Sequence, residues 1–154
     1  MQSLNHLKFV SAVAFSVIAS VANAQDSGRT ITPPELQWKP STRVQGLEQA
    51  AIIGDSTKPG PYIERVKFPP NFNNPPHAHP DERTYTIISG TWYVGWGNKF
   101  DETKLKALPP GSFYTEPANV PHFVVSKGEP VIVQISGTGP TATRFVDPAH
   151  APKK

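Results

Sequence analysis

The chain of 154 residues contains no cysteine and one methionine. Disulfides, thiolate zinc sites and thiol nucleophiles are therefore excluded, and any metal must be held by His, Asp or Glu. Charge of one sign is also scarce. Lys and Arg number 15 against 12 Asp and Glu, the net charge is +3, and the basic residues are scattered. No basic and aromatic stripe follows that could track a phosphate backbone, so no nucleic-acid partner is expected. The closing Lys153-Lys154 reads as a solvated tail. No apolar run reaches the ~20 residues of a spanning helix. The longest, Phe9 to Val21, follows His6 and Lys8 and is broken only by serines. Ala22-Asn23-Ala24 then offers small residues at the positions a signal peptidase reads. This pattern predicts a secretory leader over residues 1–24, cleaved after Ala24, and hence an exported (periplasmic or secreted) protein with no membrane partner after cleavage. An uncleaved N-terminal anchor is the rival reading.

What is abundant is punctuation: 18 prolines and 11 glycines. So many breakers favour short strands joined by turns over long helices. Residues 25–42, with Pro33, Pro34 and Pro40, read as an extended N-terminal arm. Beyond it, strand patterns recur about every ten residues. Ala50–Ile53, Tyr62–Phe68, Thr84–Ile88, Thr91–Val94, Ser112–Glu116, Pro121–Ser126, Pro130–Ser136 and Thr141–Val146 each read as strands. Ser89-Gly90 marks a hairpin turn, and Asp101–Lys106 a helix of one to two turns with Asp101 as its cap. No alternating βα pattern and no internal repeat is present. The expected fold class is all-β, a sandwich or barrel over residues 43–148 followed by a tail over 149–154.

The chemistry-bearing pattern is His77-Ala78-His79. Residues two apart on a strand share a face, so both imidazoles can meet one ion. By itself such a pair is as readily two surface histidines. The segment from Pro110 to His122 adds context. Gly111, Pro117 and His122 keep the spacing Gly, five residues, Pro, four residues, His, with Asn119 where a second glycine is usual and Ser126 where an asparagine is usual. His77, His79 and Gly90 match a first motif of two histidines, an acid and a glycine. Over residues 60–147 the chain thereby resembles the cupin superfamily, small one-domain β-barrels. The resemblance implies a jelly-roll-like barrel of two antiparallel sheets, pairing as a homodimer, and a divalent metal (Fe, Mn, Ni, Zn or Cu) held by His77, His79 and His122.

The acidic place of the first motif is occupied by Arg83. Glu82 and Asp81 are out of register by one and two residues, and on a regular strand Glu82 faces away from Arg83. An arginine about 5 Å from a divalent ion costs about 6–7 kcal/mol at an effective dielectric near 20, unless an anion lies between them. Three readings follow. A three-histidine metal site has Arg83 turned away or clamping an anionic substrate. A bulge turns Glu82 inward as a fourth ligand. Or the barrel has lost its metal and the histidines bind a ligand directly. Arg83 could equally be an ordinary surface partner of Asp81, Glu82 or Glu116.

Strand alternation nominates two more cavity residues. Gln134 is a lone amide in an apolar strand, bonded to backbone or facing the cavity, and Tyr85 is either a core aromatic or a hydroxyl presented to the site. Together with Arg83 these are the candidate catalytic residues. Trp92 and Trp96 share a strand face and read as core or subunit interface before a sugar platform. No G-x-S-x-G, P-loop or G-x-G-x-x-G motif is present. What the resemblance implies is a metal-dependent enzyme acting on a small, anionic organic molecule, with a lean to dioxygenase chemistry and with isomerase, lyase and decarboxylase chemistry also admitted. The alternative is a non-catalytic exported protein that binds a small ligand or a metal ion.

Overall fold

The computed structural model describes residues 28–41 and 43–150. The expected leader, residues 1–24, lies outside the described residues. Strands are β1 (Lys39–Pro40), β2 (Glu48–Ile53), β3 (Gly60–Phe68), β4 (Asn73–Ala78), β5 (Arg83–Ser89), β6 (Trp92–Trp96), β7 (Lys106–Leu108), β8 (Phe113–Glu116), β9 (His122–Ser126), β10 (Val131–Gly139) and β11 (Arg144–Phe145). They form a sheet ordered β1-β2-β3-β10-β5-β8 and a second ordered β11-β4-β9-β6-β7, and the pairings are antiparallel. This is the expected all-β, two-sheet jelly-roll arrangement.

The interior is built by alternation. On β3, Tyr62, Glu64, Val66 and Phe68 are buried, while Ile63, Arg65 and Lys67 are not. Val66 and Phe68 from one sheet and Trp92, Val94 and Val124 from the other belong to one apolar cluster. Phe68 and Trp92 meet across the sheets with ring centroids 4.4 Å apart. Fully burying side chains of this size contributes about 1.5–3 kcal/mol each.

Most strands lie where alternation puts them. The Ser89-Gly90 turn has Gly90 at φ 72°, and a Cβ there would stand 2.4 Å from the Pro130 carbonyl oxygen. Only glycine fits both conditions. The predicted helical turn is a 3-10 turn, Glu102–Lys104, with the Asp101 carboxylate accepting from the Thr103 N–H at 3.0 Å. Three strands differ from expectation, one being β7, which pairs with β6 outside any segment read as a strand. Lys39–Pro40, inside the segment read as an arm, pairs with β2 as an edge strand, where a proline is tolerated. β4 runs through Asn73-Asn74-Pro75-Pro76, a stretch not among the expected strands. Its ladder to β9 skips the prolines: Asn74 pairs with Val124 and the next pair is His77 with His122.

Candidate metal centre

β4 and β9 bring the three histidines together. His77 and His122 are cross-strand partners, and His79 follows two residues beyond His77, on the same face. All three are buried. One ring nitrogen from each lies within 4.8 Å of the others.

Backbone carbonyls orient the rings. Nδ1 of His77 lies 2.7 Å from the Pro75 oxygen, Nδ1 of His79 lies 2.7 Å from the Ala142 oxygen, and Nδ1 of His122 lies 3.1 Å from the Val120 oxygen. A carbonyl can only accept, so each Nδ1 carries its proton and donates it. Each Nε2 is then left to face its neighbours, which is the arrangement by which outer contacts aim imidazole ligands. Nε2 of His79 and of His122 are buried and have no hydrogen-bond partner. Nε2 of His77 accepts from the Asn74 side-chain amide at 3.0 Å. Burial, helped by the neighbouring His122, lowers the His77 pKa to about 4. Burial and the Arg83 charge lower that of His79 to about 2. Both imidazoles are therefore neutral at pH 7, the form that binds a metal. The orphaned Nε2 atoms of His79 and His122, together with His77, are a donor set suited to a borderline divalent ion. The residues present fit the group.

Arg83 sits on the inward face of β5 and is buried, so it is not a surface ion-pair residue. β5 and β8 set it directly opposite Glu116. Its Nη2 donates to Glu116 Oε2 at 2.8 Å, its guanidinium lies 5.3 Å from the centre of the Tyr85 ring, and its buried Nε has no partner. Glu116 is itself buried. Burial pushes its pKa upward, but the Arg83 guanidinium and the His122 contact outweigh this and hold the carboxyl below its ordinary range. Glu116 Oε1 lies 3.0 Å from His122 Nε2 without being aligned for a hydrogen bond, and Oε2 lies 3.8 Å from His79 Nε2. The Tyr114 hydroxyl donates to Oε1 at 3.0 Å and accepts from Trp92 Nε1–H at 3.0 Å.

The other nominated residues divide. Tyr85 is buried, stacks on Tyr114 with centroids 4.7 Å apart, and borders the cavity. Glu82 is exposed and stands outside the histidine cluster, so the bulge that would turn it inward is not formed. Gln134 also differs from expectation. It alternates outward between buried Val133 and Ile135, and its Oε1 accepts from Arg65 Nε at 3.2 Å. An amide in an apolar strand thus met a long cation on the neighbouring strand rather than the cavity. Trp92 and Trp96 do share a face, but Trp92 is core while Trp96 is 39% exposed with its ring 5.6 Å from that of His122.

Two inward acids were not nominated. Glu64 is buried, accepts from Ser56 Oγ at 2.9 Å and pairs with Arg43. Glu116 was considered only as a surface partner of Arg83. Alternation with Tyr62 and Val66, and with Tyr114, was the readable signal for each. A cavity of about 60 Å³ lies between the sheets, bordered by His77, His79, Arg83, Glu116, Glu64 and Gln49 among others.

The family model described as "Cupin domain" matches residues 64–136. Among curated proteins, germin-like protein 4-1 of Oryza sativa subsp. japonica is 30% identical over 131 residues, covering 80% of this chain and 44% of the relative. Germin-like protein subfamily 1 member 20 of Arabidopsis thaliana is 33% identical over 79 residues, covering 49% and 36%. The chain therefore spans less than half the length of these relatives. Among solved structures, the polyketide cyclase RemF from Streptomyces resistomycificus aligns with a TM-score of 0.65 at 16% identity, covering 79% of this chain and 87% of that one. An RmlC-like cupin from Shewanella frigidimarina aligns with a TM-score of 0.56 at 15% identity, covering 73% and 91%. A chain from the crystal structures of DMSP lyases RdDddP and RnDddQII aligns with a TM-score of 0.54 at 20% identity, covering 69% of this chain and 58% of that one. Two antiparallel sheets, the paired histidine motifs and the matching family model lead to one assignment: the chain belongs to the cupin superfamily.

Proposed function

We propose that this protein is a metal-dependent enzyme acting on a small anionic molecule inside the barrel, with His77, His79 and His122 as ligands of a first-row divalent ion. One observation carries the reading. Three buried imidazoles, each with Nδ1–H tied to a backbone carbonyl, bring one ring nitrogen apiece within 4.8 Å of one another. When bound, such an ion supplies Lewis-acid polarisation, or one-electron chemistry with dioxygen if it is iron(II). The chain's own residues supply position. The cavity of about 60 Å³ admits only a small substrate. Arg83 borders that space and its buried Nε–H has no partner, a donor suited to a carboxylate. Tyr85 forms part of the wall. A cyclase and lyases among the fold neighbours are in keeping with an enzymatic role, and within the family a three-histidine site leans the reaction toward dioxygenase chemistry. The same reading has the leader over residues 1–24 removed on export, which N-terminal sequencing of the exported product checks.

The test is to strip the purified protein of metal, reload single metals, and screen small mono- and dicarboxylates for oxygen uptake and product formation. Turnover that depends on one metal and is lost in His77→Ala supports the reading. Absence of metal uptake, with His77→Ala behaving as wild type, removes it.

A second reading rests on Asn74, whose amide already occupies His77 Nε2. In that reading the barrel holds a small ligand without turnover, and Arg83 keeps metal out. It gains if Arg83→Glu binds metal more tightly than wild type and if no reloaded metal supports turnover.

A further inference from the structure

We infer that Glu116 is the carboxylate ligand of this centre, supplied by β8 in place of the acid that the first motif would carry on β5. The inference rests on the three-histidine reading above and adds its fourth residue. The first observation is register. Arg83 and Glu116 are direct cross-strand partners, so their side chains rise from the same face at neighbouring points. An acid at either position can approach the same spot. This chain has an arginine at 83 and an acid at 116.

The second observation is distance. Glu116 Oε1 is 3.0 Å from His122 Nε2 and Oε2 is 3.8 Å from His79 Nε2. Both ring nitrogens are buried and lack a hydrogen-bond partner. The 3.0 Å contact is off the line a hydrogen bond needs, so it is not accounted for as one. Two donors each about 2.1 Å from one ion, at roughly a right angle, stand about 3 Å apart. The contact has the separation of adjacent ligands.

The third observation is support. Tyr114 donates to Oε1, Trp92 steadies Tyr114, and Arg83 donates to Oε2. Oriented carboxylates of this kind are characteristic of metal sites. The arrangement also removes the objection raised by Arg83. Its charge is separated from the imidazoles by the carboxylate, so the anion that must lie between arginine and ion comes from the chain itself. Glu82, exposed, has no comparable position.

The experiment compares Co(II) binding by the wild-type full chain, Glu116→Gln and Glu82→Gln, read by affinity against a chelator and by the visible absorption band of the bound ion. We expect Glu116→Gln to lose about ten- to hundredfold in affinity and to shift the band, with Glu82→Gln matching wild type. If Glu116→Gln fails to fold, Glu116→Asp replaces it. The shorter acid keeps a charge for Arg83, and the same band shift with about tenfold weaker binding is expected. An unchanged affinity and band in the folded Glu116 variant overturns the inference and leaves the three-histidine centre standing. An equal loss in Glu82→Gln also overturns it. Folded wild type that binds no Co(II) removes both the inference and the metal reading.

Discussion

A buried ion pair between Arg83 and Glu116 gains little over apolar packing, but breaking it from one side is costly. Desolvation is repaid only while both charges are present. In protein held metal-free with a chelator, Arg83→Met leaves Glu116 buried without the guanidinium that pairs with it. The expected loss is about 3–5 kcal/mol, seen as a fall of the thermal midpoint by about 10 °C or more in circular dichroism. Arg83→Met/Glu116→Met should recover much of that loss. A single variant as stable as wild type would mean that Glu116 is not held in the way its contacts indicate. Gly95 is the apolar counterpart. A Cβ there would stand 2.3 Å from a ring carbon of Phe123, the residue next to His122. Gly95→Ala should cost about 1–3 kcal/mol by overpacking, and a melt indistinguishable from wild type counts against this close approach.

Among the elements, the turn joining β8 to β9 is where backbone conformation reaches the histidines. Asn119 has φ 62°, and its N–H donates to the His79 carbonyl at 2.7 Å. The next carbonyl, of Val120, accepts from His122 Nδ1. One left-handed residue thus ties both motifs together. Asn119→Gly, which keeps that conformation without strain, should retain Co(II) affinity within about threefold. Asn119→Val pays about 1–2 kcal/mol of left-handed strain and should weaken Co(II) binding measurably in a chelator competition. Equal affinity in the two variants would show that the turn does not position the rings. β9 itself is buried along its whole length, which gives His122 a rigid mount.

For the molecule as a whole, burial of neutral imidazoles couples stability to pH. The pKa of His77 is lowered to about 4 by burial first and by His122 second, and that of His79 is lower still. The unfolded chain takes up these protons below about 6.5, while the fold refuses them. Stability is therefore complete above that pH and declines as the pH falls toward 4. The metal-free protein should melt at a lower temperature at pH 5 than at pH 7.5, and a midpoint that is flat or rising on acidification contradicts the buried neutral pair. Co(II) at a hundred times its dissociation constant should stabilise the protein by about 2.7 kcal/mol at pH 7.5. The gain should shrink at pH 5, where protons compete for the same nitrogens.

Most strand segments, their inward and outward faces, the glycine turn at 90 and the shared face of His77 and His79 were legible in the chain because each depends on neighbours a few residues away. Breakers mark strand ends, and period-two alternation marks faces. β4 was not legible, since two prolines ordinarily end a ladder, and here pairing resumes beyond them through His77 and His122. Gln134 was misjudged because its partner Arg65 lies on the adjacent strand β3, and no local rule gives that register. The same limit applies at the centre. The residues at 83 and 116 could be read as one cation and one acid, but whether they meet depends on how β5 and β8 align. The amino-acid sequence alone determined which side chains face the barrel. Tertiary structure decided which of them touch, because side-chain direction is set by local backbone geometry whereas contact between distant strands is set by the packing of two sheets.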